Sequence, residues 1–118
     1  METDRSNVKA DRELLELAAK AAGLKVRIWN GHTGVMCSID DDRHGRMWMP
    51  LTDDGDALRL AVALRLTIYH DELAVIIKHK RYSWEWMGEM VDEDSGDRNS
   101  ATRRAIVRAA AAIVEKMP

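Results

Sequence analysis

Two periods of hydrophobicity run along this chain, one of about 3.6 residues and one of about 2, and the changeovers mark its elements. Residues 1–10, METDRSNVKA, hold neither period and read as a flexible leader. From Asp11 a helix is clear. Leu14, Leu15, Leu17, Ala18, Ala21 and Ala22 share one arc, and Arg12, Glu13, Glu16 and Lys20 share the other. Gly23 supplies a left-handed stop. Alternation follows in residues 25–29, where Val26 and Ile28 are separated by charge. Asn30, Gly31 and Gly34 mark a turn in which glycine permits positive φ, and residues 35–39 return as a second strand. A polar turn over residues 40–45 leads to a short third strand, 46–49.

The helical period returns at 53–65, after Pro50. Asp53 or Thr52 is the expected N-cap, with Asp56 three residues beyond Asp53 as in a capping box. Leu58, Leu60, Ala61, Val62 and Leu64 leave only a narrow polar side, so this segment reads as the buried central helix, or as one covered by a partner chain. Residues 66–70 and 73–80 are dense in β-branched side chains and read as strands about an Asp71-Glu72 turn. Tyr82, Trp84 and Trp86 alternate as a further strand. An acidic loop over 91–99 precedes a last helix capped by Asn99 or Ser100, with Ile106, Ala109, Ala110, Ile113, Val114 and Met117 on its apolar arc. The expected fold is α+β, three helices layered with antiparallel strands in the order αβββαβββα, as a single domain over 11–118.

Composition narrows the function more than it defines it. A chain of 118 residues with 46% apolar side chains buries a core without disulfides or metal. Eighteen basic residues against twenty acidic give a net charge of −2, which removes the global argument for nucleic-acid binding and leaves only a local patch. Cys37 is the single cysteine, so a reducing compartment is the default. No apolar run reaches the ~20 residues of a membrane span, and the polar N-terminus is unlike a signal peptide. A cytoplasmic location and no membrane association are expected.

The candidate chemistry is sparse. Asp53, Asp54 and Asp56 run straight into a helix, so capping explains them better than a calcium loop, whose ligands spread over about twelve residues. His32, His44, His70 and His79 lack metal-ligand spacing, although His32 and His44 flank the Cys37 strand. No serine motif, P-loop or dinucleotide fingerprint is present, and neither a metal nor a cofactor is called for. The basic residues carry more. Lys78, Lys80 and Arg81 end one strand, while Arg103, Arg104 and Arg108 lie in the first turns of the last helix. Arg104 and Arg108 repel each other at i, i+4 and need a partner. That partner is either the acidic loop of Asp92, Glu93, Asp94 and Asp97, or an external anion such as a nucleotide or nucleic-acid phosphate. Tyr82, Trp84 and Trp86 are core if their strand is central and a protein-binding patch if it lies at an edge.

Three blocks resemble the phage ABA sandwich domain family. The run 48–62, WMPLTDDGDALRLAV, resembles its W-x-P-L-x-D-D-G-D-A-L-R-L-A-V block. The run 101–111, ATRRAIVRAAA, resembles its closing A-T-R-R-A-I-V-R-A-A, and 13–23, ELLELAAKAAG, fits its first helix. The resemblance implies a small protein encoded by a tailed phage or prophage, with strands sandwiched by helices and no assigned catalytic residues. Together with the small size, near-neutral charge and absence of a catalytic constellation, it points to an accessory protein in the host cytoplasm that binds rather than catalyses, with a host defence factor as one target class. A nucleotide- or anion-binding module, and a nucleic-acid-binding protein of phage replication or regulation, stand beside it. Each is compatible with a homo-oligomer.

Overall fold

The structure, a computed structural model, describes residues 2–32, 34–40, 45–79, 87–90 and 97–116, with the side chains of 2–10, 87–90 and 116 left out. The elements are α1 (Glu2–Ala21), β1 (Val26–Gly31), β2 (Gly34–Ile39), α2 (Asp54–Leu64), β3 (Leu66–His70), β4 (Ala74–His79), β5 (Met87–Met90) and α3 (Arg98–Lys116). The class is α+β and the order follows the expected one with two changes. The expected third strand at 46–49 is only a bridge from Ser38 to Met47, because Pro50 ends the pairing three residues later. The third strand of the second sheet is β5 at Met87–Met90; residues 82–86 lie outside the described residues.

Helix α1 also begins earlier than the apolar period does. Its first turns cover 2–10, which the sequence pattern assigns to a leader. That stretch has no glycine or proline and is polar all round, so it carries a helix without an amphipathic signature. At the other end Gly23 has φ +74, with its N–H on the Lys20 carbonyl and the Leu24 N–H on the Ala19 carbonyl, at 3.1 and 2.9 Å. This is a Schellman stop at the residue expected.

Strands β1 and β2 form an antiparallel hairpin with Ile28 opposite Cys37, and its positive φ falls on Gly34 rather than Gly31. Strands β3, β4 and β5 form a second antiparallel sheet in that order, which leaves β3 as an edge. Val75 and Ile77 point from β4 into the core, while Thr67, Tyr69 and Lys78 are exposed on the far face.

The central helix is α3, not α2. Ala101, Ala105, Ile106, Val107, Ala109, Ala110 and Ala111 are all buried. Helix α3 lies against α1, α2, β4 and β5, whereas the hairpin meets α1. The helices therefore lie between hairpin and sheet among the described elements, in place of strands sandwiched by helices. Alanine is the reason: a small side chain lets a neighbouring backbone approach from several directions. Leu60, Ala57 and Ala61 bury one side of α2, but Leu58 and Val62 on its other side are 60% and 67% exposed. Among the described residues, no helix is long and apolar enough to cross a membrane.

Two sets of substitutions test these packing arguments in denaturant unfolding. Gly23→Ala should lower stability by about 1 kcal/mol, because an L side chain is strained at positive φ. Arg65, the residue after α2, sits at φ 55, ψ 46, so Arg65→Gly should raise stability by a similar amount of about 1 kcal/mol. Ala105→Leu or Ala110→Leu, at fully buried positions of α3, should cost about 1–3 kcal/mol or more by overpacking. Unchanged midpoints in the leucine variants would contradict the hub role of α3.

Candidate functional site

The acidic turn before α2 is a folding device in which each aspartate has a separate partner. Met49 anchors it: the N–H groups of Thr52 and Asp53 both donate to the Met49 carbonyl, at 3.0 and 2.7 Å. Asp53 is the N-cap and accepts the Asp56 N–H at 2.8 Å. The reciprocal half of a capping box is missing. Asp56, 6% exposed, instead accepts the Met49 N–H at 2.8 Å and the Arg59 guanidinium at 2.8 Å. The hydrogen bond to Asp56 pushes the Arg59 pKa up. Asp54 reaches across to α3 and pairs with Arg103 at 2.6 Å.

Cys37 lies fully buried on β2, and its thiol pKa is pushed up to about 11, first by burial and then by the negative charge of Asp56. A thiol held protonated at neutral pH is a poor nucleophile and a poor metal ligand. His32 is exposed, and His44 lies outside the described residues. Among the described residues no three His, Cys, Asp or Glu side chains gather as a metal cluster.

Among the described residues the basic side chains do not form one patch. Arg103 donates from Nε to the Leu51 carbonyl at 2.9 Å and from its guanidinium to Asp54, tying α3 to the start of α2. Arg104 turns the other way and pairs with Asp11 of α1 at 3.0 Å. Arg104 thus has a partner in Asp11, 93 residues away in the chain, and Asp92, Glu93 and Asp94 of the acidic loop lie outside the described residues. Arg108 is exposed one turn further on. Lys78 lies on the far face of the sheet, over the Tyr69 ring at 5.4 Å. Lys80, Arg81, Tyr82, Trp84 and Trp86 lie outside the described residues.

Polar and apolar groups do converge in a groove of about 320 Å³ between α2, β3 and the first turns of α3. Leu58, Ile68 and Ile106 supply apolar wall, and His70, Arg98, Asn99 and Arg103 supply polar rim. Arg98 is the residue that sequence reasoning missed. It is the first residue of α3, behind an N-cap that is Asp97, whose side chain accepts the Asn99 N–H at 3.1 Å. Its guanidinium gathers the β3–β4 turn, donating to the carbonyls of Asp71 at 2.6 Å and Glu72 at 2.8 Å. It also meets His70 Nδ1 at 3.2 Å; guanidinium only donates, so Nδ1 carries the lone pair there. A larger hollow of about 630 Å³ is lined by Leu15, Val35, Met36, Met49 and Leu51, and its one carboxylate, Asp11, is already paired with Arg104.

Compared with protein-family models, curated proteins and solved structures, the chain matches none. The resemblance of its three helical blocks therefore rests on those residues alone.

The Cys37–Asp56 relationship is testable by thiol labelling. Native Cys37 should react far more slowly than in the unfolded chain at pH 8. Asp56→Asn removes the negative neighbour, so the native thiol pKa should fall from about 11 and labelling at pH 9–10 should quicken, although burial still holds it above the unfolded value. The sign for stability follows. The unfolded thiol ionises first, so stability should hold below about pH 9 and decline as the pH rises toward 11, and Cys37→Ala should flatten that decline.

Proposed function

We propose that this chain is a phage- or prophage-encoded accessory protein of the host cytoplasm that acts by binding a protein, with a host defence factor as the target class. The observation that carries the binding reading is the groove between α2, β3 and α3. Its apolar wall of Leu58, Ile68 and Ile106 suits an aliphatic or aromatic anchor, and the guanidiniums on its rim suit a carboxylate beside that anchor. Binding is favoured over catalysis because the one cysteine is buried with a raised pKa. The phage origin rests on the resemblance of the helical blocks.

Asn99→Trp places a large side chain at the exposed lip of the groove without touching the core. In affinity capture from host lysate, the wild-type chain should retain a partner that Asn99→Trp loses by about tenfold or more. Recovery of the same proteins by both chains would sink the groove as the binding site. The second reading, a nucleotide- or anion-binding module, is favoured by Arg98 and Arg103 beside the amides of the first turn of α3. It predicts a melting-point rise of about 5 °C or more with one member of a nucleotide and phosphate panel at saturating concentration.

A further inference from the structure

The outer side of α2 is unexplained by the fold. Val62 and Leu58 are the two most exposed large apolar side chains among the described residues, at 67% and 60%. Single exposed apolar residues are ordinary. These two are spaced i, i+4 and form one stripe opposite the buried Ala57, Leu60 and Ala61.

The ends of that stripe carry opposite charges. Asp54 opens the helix with a side chain 67% exposed, and Arg65 follows its last residue, also exposed. At ~100° per residue, positions 54, 58, 62 and 65 fall within ~80° of one another. Asp54 uses Oδ1 for Arg103, which leaves Oδ2 for a second partner. Among the described residues no carboxylate forms an ion pair with Arg65. Yet Arg65 occupies a left-handed position, φ 55 and ψ 46, that glycine fits better. A long cation is kept where it strains the cap and forms no ion pair among the described residues of its own chain.

We propose that α2 is a homodimerisation helix: a second copy of the chain packs antiparallel across it, burying Leu58 and Val62 about a two-fold axis and setting Arg65 of each copy against Asp54 of the other. A two-fold antiparallel pair is self-complementary, because the acidic N-terminus of one helix meets the basic C-terminus of its mate at both ends. Asp54 and Leu58 also line the groove, so Arg65 of the second copy joins its rim and the dimer sets two grooves side by side. The inference stands on the α2 surface alone and holds whether or not the groove takes a protein partner. One helix of 11 residues per copy is a small contact beside the ~1,600 Å² of a standard interface, so the dimer is a weak one.

Sedimentation equilibrium of the full chain from about 1 to 500 μM tests this, with far-UV circular dichroism confirming that each variant is folded. The wild type should pass from monomer to dimer over that range. Leu58→Glu and Val62→Glu, at exposed positions the fold tolerates, should each raise the dissociation constant about tenfold or more. Arg65→Gly should raise it about threefold or more while the monomer unfolds at higher denaturant, a split that a purely structural Arg65 would not produce. A monomer throughout the range, or a dimer indifferent to the glutamates, would overturn the proposal. A dimer that Arg65→Gly leaves unchanged would overturn its antiparallel arrangement.

Discussion

Close approach to α3 is the constraint on which this architecture depends. A helix that must receive two other helices and a sheet has no room for large side chains on most of its circumference, and α3 meets that demand with alanine at 101, 105, 109, 110 and 111. Alanine gives contact and helix propensity but little direction. Direction comes from arginines set around the same helix. Arg98 holds the β3–β4 turn, Arg103 holds the start of α2, and Arg104 holds α1. The apolar seam brings elements close, and the guanidiniums fix where each one sits.

The turn into α2 shows the same economy with the opposite charge. Three aspartates within four residues would repel one another if they shared one site. Each is drawn to different donors: Asp53 to its helix, Asp56 to Met49 and Arg59, and Asp54 to α3. Burial raises the Cys37 thiol pKa most, and the field of the buried Asp56, the acid that shapes the turn, raises it further.

The surfaces left over by this construction are adjacent. The groove and the exposed stripe of α2 share Leu58, and the groove's rim includes the Asp54 that the proposed dimer engages. A binding role and a self-association role therefore meet on one helix. Both follow from α2 burying only one of its two apolar sides.

Local chemistry was legible in the residues themselves. The Gly23 stop, the Asp53 cap, the hairpin and the β3–β4 pair are each set by neighbours within a few positions, and each lies where its pattern points. The breadth of α2's apolar arc was legible too, but not which side would be covered. An arc of Leu58, Leu60, Ala61 and Val62 looks more buried than an alanine-rich one, since hydrophobicity rises with side-chain size while closeness of approach falls with it. That inversion hid α3 as the centre. The pairing of Arg104 with Asp11 and the convergence of Arg98 with His70 join residues 93 and 28 positions apart. No local period encodes such distances. The sequence by itself determined the elements, their caps and the partial apolarity of α2; only the tertiary structure decided which helix is enclosed, which charges are spent inside the fold, and which apolar stripe faces outward, because those depend on what lies across space rather than along the chain.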